Sequence, residues 1–189
     1  MIQVRLAAPR RAARVTGLIL GAALLRALLL PAGDLLSTMA FAACLLGISW
    51  FDRPSATNES RWGSRRSVVA GLMVGAILLV PVVSGPFSAR PVSAFVPWAA
   101  IAALVATLEE TTIRGVLYRQ WAGEAGTLVA IVVGAAVFAL IHLPRYGLAA
   151  MPLDAAVGLA LGGLRALTGR VLPCAVAHTI ADWGAWFWS

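Results

Sequence analysis

The sequence predicts an all-α fold, a polytopic membrane helical bundle of about seven transmembrane helices. Hydrophobic residues make up 60 % of the 189 positions and charged residues only 12 %, about half the roughly 25 % charge of average soluble chains. Mean hydropathy is +0.87. The apolar residues also fall into seven runs, most of them near the roughly 20 residues that a helix needs to cross a bilayer. Residues 1–189 read as a single integral membrane domain.

The runs cover about 15–32, 35–50, 67–84, 93–113, 125–143, 148–167 and 171–188. The first follows Arg5, Arg10, Arg11 and Arg14, as the hydrophobic region of a signal sequence follows its basic start. Arg26 interrupts this run and no small-x-small cleavage site is evident, so a retained anchor is expected. The second run is short and reads as tilted, interfacial or extended by its neighbours. Between the second and third lies the polar stretch Phe51–Arg66, with turn-forming Pro, Ser, Asn and Gly. Gly71-x-x-x-Gly75 and Gly158-x-x-x-Gly162 allow close helix approach and are expected to pack within the chain. Trp183, Trp186 and Trp188 read as an interfacial aromatic belt. Cys44 and Cys174 lie in apolar runs and are expected to be buried and unpaired.

All fifteen basic residues are arginine, and the net charge is +7. No basic face interleaved with aromatics is visible, so nucleic-acid binding is not expected. The positive-inside rule explains the distribution better. With the N-terminus in the cytoplasm, twelve arginines lie inside, including Arg114, Arg165 and Arg170, and only Arg90 and Arg145 lie outside. Asp154 reads as a helix-start carboxylate and Arg165 as a cytoplasmic-end anchor. Eleven residues apart they share a face, which also allows them to line a cavity.

Three polar clusters interrupt the apolar runs. Ionisable groups in a lipid-facing medium cost roughly 2.5–3.5 kcal/mol each on insertion scales unless they face a wet cavity or one another. The first cluster is Glu109-Glu110-Thr-Thr-Ile-Arg114. Residues four apart share a helix face, so Glu110 and Arg114 can pair, while Glu109 points about 100° away. An ion pair at a membrane boundary accounts for Glu110 but leaves Glu109 unexplained. A carboxyl in a dry site is what a general base requires. The second cluster is Phe138-x-x-x-His142 and the third is His178-x-x-x-Asp182, whose side chains can touch. Either histidine alone can serve as an interhelical hydrogen-bonder. Both histidines of the chain and three of its eight acids nevertheless fall in these clusters. Glu109 and His142 are thirty-three residues apart with a Gly-rich turn, Ala122-Gly-Glu-Ala-Gly126, about midway. A helical hairpin therefore returns His142 to the depth of Glu109. His178 reaches that depth only if Tyr118–Gly126 projects beyond the bilayer.

These motifs, in this order, resemble the CPBP (Abi or CAAX-protease-like) family of intramembrane endopeptidases. The family pattern is EExxxR, then FxxxH, then HxxxN or HxxxD, on separate transmembrane helices. The resemblance covers about 93–188, which it marks as the catalytic core, leaving 1–92 as N-terminal spans. It implies peptide-bond hydrolysis within the membrane. Glu109, assisted by His142, would activate the attacking water, and His178 with Asp182 would stabilise the oxyanion. Glu110 and Arg114 would support the first helix. Many members carry Asn where this chain has Asp182, and an ionised carboxylate cannot donate a hydrogen bond. Asp182 is therefore expected to orient and charge His178, or to act while protonated.

The family is often labelled metalloprotease, and two histidines with two carboxylates can bind zinc. No HExxH helix is present and a glutamate-activated water requires no metal, so metal-free chemistry is the expectation. The implied partners are the lipid bilayer and a membrane-anchored peptide or protein, cut near its C-terminus as in CAAX or sorting-tail processing. The Arg/Ala-rich composition suggests a GC-rich bacterial source and an inner-membrane location. Two other readings remain open. A non-catalytic immunity or scaffold protein would retain the polar site for binding. A proton-coupled transporter would use intramembrane Glu and His as a relay, but no inverted repeat or pair of broken helices is visible.

Overall fold

The computed structural model describes residues 10–51, 62–81, 83 and 91–188. Among these residues the fold is entirely helical. Helix α1 (Arg10–Leu29) turns through a single 3-10 turn, Leu30–Ala32, into α2 (Asp34–Phe51). Gly33 between them has φ 129, a conformation that side-chain-bearing residues avoid. Helix α3 is Ser64–Leu79, and α4 runs continuously over 92–125 with a π-helical segment at Thr111–Leu117. Then come α5 (Thr127–Tyr146), α6 (Met151–Thr168) and α7 (Leu172–Ala185). Each of the seven apolar runs thus becomes one helix. Five are long and apolar enough to cross a membrane by length and composition. Helices α3 and α7 are shorter, at 16 and 14 residues.

The side chains are sorted as a bilayer requires. Leu24, Leu28, Ile77, Val96, Leu128 and Leu167 are exposed, whereas Arg26, Glu109, Glu110, Arg114, His142, Arg165 and His178 are buried. Apolar surface facing lipid costs nothing, while charge must find partners inside. Around the charged residues sits an apolar core that includes Ile19, Phe41, Leu45, Ile113, Phe138, Ile141 and Leu161. The chain is an integral membrane protein.

Both GxxxG segments pack within the chain. A methyl group at Gly71 would lie 2.7 Å from the Pro173 carbonyl oxygen, and one at Gly158 2.7 Å from the Ala135 Cα. Glycine therefore lets α3 rest on α7 and α6 rest on α5. Cys44 and Cys174 are unpaired; Cys174 is buried in the core as expected, whereas Cys44 is only half-buried at its edge.

Several sequence expectations shift. Helix α3 begins at Ser64, before the run that marks it, and residues 52–61 of the expected loop lie outside the described residues, as does Arg90. The stretch Tyr118–Ala125, which takes in most of the expected Gly-rich turn Ala122–Gly126, is helix. It continues α4 as α-helix to Ala125, pinned to α1 where Trp121 Nε1–H donates to Thr16 Oγ1 at 3.1 Å and the Ala12 N–H to Glu124 at 3.2 Å. Arg114 and Arg165, counted among the cytoplasmic arginines, are buried. The Arg165 Nε–H donates to the Arg114 carbonyl at 2.9 Å, and its guanidinium lies 4.9 Å over the Tyr118 ring. Arg165 is thus an internal donor and not a surface anchor, because α6 carries it against the first motif. The C-terminal tryptophans form more than a belt: Trp183 and Trp186 pack with Phe95 on α4, and Trp98 stacks 4.6 Å from Trp186.

Candidate active site

The site is built where α4 widens. A π segment holds one more residue per hydrogen-bonded ring than an α-helix. At its start the carbonyls of Thr107 and Leu108 accept from the Thr111 N–H and also from threonine hydroxyls. Thr111 Oγ1 donates to the Thr107 carbonyl at 2.7 Å and Thr112 Oγ1 to the Leu108 carbonyl at 2.8 Å, with Ser49 Oγ on α2 2.8 Å from Thr112 Oγ1. Glu109 and Glu110 are the last two residues before this segment, and the turn between them sends the two carboxylates to different places.

Glu110 is fully buried. Its Oε1 accepts from Arg114 Nη1 at 2.9 Å, the pair four residues apart that the sequence predicts. Arg114 also donates from Nη2 to the Gly158 carbonyl at 3.1 Å, and its guanidinium stacks 4.7 Å over Phe138. The same Glu110 oxygen accepts a further bond from His178 Nδ1–H at 3.0 Å. Glu110 therefore does more than support its helix. It is Glu110, and not Asp182, that orients His178, because Asp182 Oδ1 lies 3.7 Å from the opposite ring nitrogen, Nε2.

Glu109 turns the other way, into a cavity of about 590 Å³. Its Oε2 lies 3.8 Å from His142 Nε2 and 3.8 Å from His178 Nε2. His142 Nδ1–H donates to the Phe138 carbonyl at 2.8 Å. A carbonyl can only accept, so the hydrogen sits on Nδ1 and the neutral ring presents a lone pair at Nε2. The Phe138 ring packs against both imidazoles, with ring centroids 4.4 Å from His142 and 5.2 Å from His178. The structure thus gathers all six residues singled out in the sequence: Glu109, His142, His178 and Asp182 on the cavity, and Glu110 and Arg114 behind it. Asp154 lies in the first turn of α6, outside the cavity lining, with a buried Oδ2 that has no hydrogen-bond partner.

The rest of the cavity divides by chemistry. One wall is apolar, with Leu35, Pro97, Trp98, Ile101 and Val105. The rim carries Asp34 and Arg145, which pair across α2 and α5, and Tyr146, whose ring stacks 5.7 Å from His142. Arg26 of α1 also reaches the cavity, with Nη1 4.0 Å from Glu109 Oε1. The sequence motifs give Arg26 no role, although its signal was present, since an arginine in the middle of an apolar span is costly enough to need a reason.

Donor atoms of Glu109, His142 and His178 all lie within 4.8 Å of one another. Both histidines also give Nδ1–H to an acceptor and face Nε2 inward, as ligating histidines usually do. The donor set therefore fits a divalent ion such as zinc as well as it fits a water.

Residues 91–184 match the family described as type II CAAX prenyl endopeptidase Rce1-like, and all three motifs fall inside the match. Through these residues the chain belongs to the CAAX-protease-like (CPBP) family. This is a family of CAAX-type intramembrane endopeptidases. Neither the curated proteins nor the solved structures contain a match to the chain. In this CAAX-protease-like chain the matched segment supplies α4 to α7, while α1 and α2 close the cavity from outside it.

Proposed function

We propose that the protein hydrolyses a peptide bond in a membrane-anchored substrate, near its C-terminus, with a water activated by Glu109. One observation carries this reading: Glu109 Oε2 and the inward lone pair of His142 Nε2 face each other across 3.8 Å at the floor of the cavity. That gap is too long for a direct hydrogen bond and leaves room for a water held by both. Glu109 takes the water's proton as the oxygen adds to the peptide carbonyl carbon. The carbonyl electron pair moves to oxygen, and the Glu109 proton then passes to the leaving amine as the C–N bond breaks. His178, held by Glu110, faces the same point and as an imidazolium would donate Nε2–H to the developing charge. Asp182, beside that nitrogen, would balance the cation.

The apolar wall supports an aliphatic or lipidated C-terminal segment of the CAAX or sorting-tail type. The burial of Arg114 and Arg165 leaves ten of the twelve arginines assigned to the cytoplasmic side, against Arg90 and Arg145, which supports a cytoplasmic N-terminus. We take the setting to be a bacterial inner membrane.

The test is mass spectrometry of C-terminal peptides in membranes carrying the wild type, Glu109→Ala or His142→Ala. Released peptides should appear only with the wild type, while all three proteins insert and elute alike. Equal release from both variants removes the assignment. The donor set favours one second reading, in which Glu109, His142 and His178 hold a divalent metal that would polarise the peptide carbonyl and the water. Loss of activity on chelation, restored by zinc, would decide for that reading.

A further inference from the structure

The proposed mechanism needs hydrogen-bond donors for the oxyanion, and the matched segment supplies few of them. His142 spends Nδ1–H on the Phe138 carbonyl and turns a lone pair inward. Asp182, when ionised, only accepts. His178 donates from Nε2 only when its ring is doubly protonated.

Arg26 differs from all three. It lies on α1, outside residues 91–184, yet lines the same cavity. Only 6 % of it is exposed. A guanidinium carries five N–H donors and no acceptor. The Arg26 Nε–H has no hydrogen-bond partner, and Nη1 stops 4.0 Å from Glu109 Oε1, beyond hydrogen-bond length. Its flat face rests on Phe41, with Cζ 5.0 Å from the ring centroid, which fixes the group without using its N–H bonds. Among the described residues the other two buried arginines have committed donors: Arg114 bonds Glu110 and the Gly158 carbonyl, and Arg165 bonds the Arg114 carbonyl. A buried arginine with free donors beside a catalytic carboxylate is arranged for an anion that arrives later.

We propose that Arg26 is a catalytic residue that donates hydrogen bonds to the substrate oxyanion and completes the site from outside the matched segment. This rests on the peptidase reading above. As water adds to the peptide carbon, the carbonyl π pair moves onto oxygen and the Arg26 N–H groups receive that charge without giving up a proton. The pair returns to re-form the carbonyl as the C–N bond breaks, and the amine takes the proton from Glu109. The same guanidinium could instead anchor a C-terminal carboxylate of the substrate, and the two anions are separable by experiment.

The full-length protein in phospholipid nanodiscs is assayed with a fluorogenic peptide bearing S-farnesyl cysteine three residues before its C-terminus, as the free acid and as the amide. Cleavage by the wild type and none by Glu109→Ala is the baseline, and equal cleavage by both overturns the proposed function and this inference together. With the baseline met, Arg26→Gln should lower kcat about 100-fold on both peptides and leave KM within about threefold. Added guanidinium should restore about tenfold of the lost rate in Arg26→Ala and nothing in Glu109→Ala, a rescue that a purely structural arginine would not give. Arg26→Lys, which keeps the charge but not the fork of donors, serves if Gln disturbs folding, and should show the same kcat loss at unchanged KM. A defect confined to the free acid, or seen in KM alone, overturns the assignment in favour of a carboxylate anchor. Unchanged kcat, or a loss that guanidinium does not rescue, overturns it while leaving the proposed function intact.

Discussion

The cavity floor and the closed polar core behind it are built from residues one peptide bond apart, Glu109 in the first and Glu110 in the second. Behind the cavity, Glu110, Arg114, His178 Nδ1, Arg165 and the carbonyls of Arg114 and Gly158 satisfy one another at 2.9–3.1 Å. On the cavity side the spacings open to 3.7–4.0 Å, and charges face one another without closing hydrogen bonds. Both regions are buried, so burial alone does not separate them. What separates them is closure: the core forms hydrogen bonds among its own charged groups, with Glu110 Oε2 alone of its carboxylate oxygens left without a partner, and the charges of the floor stop short of one another. Structural charge and reactive charge are told apart by that difference.

The sharpest way to break the comparison is to neutralise one member of each region. Glu109→Gln keeps size and removes the base, and should lower turnover by about 10²–10⁴-fold with unfolding in detergent unchanged. Arg114→Met should do the reverse first. It leaves Glu110 as an uncompensated buried charge and is expected to cost about 3–5 kcal/mol of stability, read as a lower midpoint in thermal unfolding, with activity lost only as the fold is lost. If Glu109→Gln destabilised the protein as much as Arg114→Met, the two regions would be one network and the distinction would fail.

How much of the fold and site was legible in the sequence obeys the same division. Seven apolar runs give seven helices because the hydrophobic pattern is local, and the pairing of Glu110 with Arg114 is legible because helical geometry fixes residues four apart. The meeting of Glu109 with His142 was also within reach, since one hairpin turn joins their helices. The bond from His178 to Glu110 was not. It depends on the rotation of α7 against α4, sixty-eight residues apart in the chain, and on a π segment that turns the two carboxylates relative to the C-terminal half of α4. Asp182, at helical spacing from His178, looked the natural partner. Arg26 was visible as an anomaly but not as a neighbour of Glu109, because no local rule brings α1 to α4.

A smaller effect tests how the closed core is held in place. Gly158 gives its carbonyl to Arg114, and a methyl group there would lie 2.7 Å from the Ala135 Cα on α5. Gly158→Val should push α6 away from α5 and cost about 1–3 kcal/mol by overpacking, seen again in the unfolding midpoint. That shift also moves the carbonyl that fixes Arg114, and activity should fall only as far as the midpoint does. A stable variant with normal activity would mean that the core tolerates displacement and that Arg114 is held by Glu110 alone.

Asp182→Asn should have the smallest effect, and it tests the open side. Asp182 lies 3.7 Å from His178 Nε2, and its side chain is 37 % exposed, so removing its charge leaves no buried orphan. His178 keeps its orientation because Glu110 holds Nδ1. The amide loses the carboxylate's charge balance for a cationic His178 but gains an N–H donor beside the proposed oxyanion. These changes oppose each other, and kcat/KM should move by less than about tenfold in either direction, which is under about 1.4 kcal/mol in the barrier. A loss as large as that of Glu109→Gln would mean that Asp182 acts directly on the reacting atoms. The line between the closed core and the open floor would then have to be redrawn to give the third motif an equal share of the chemistry.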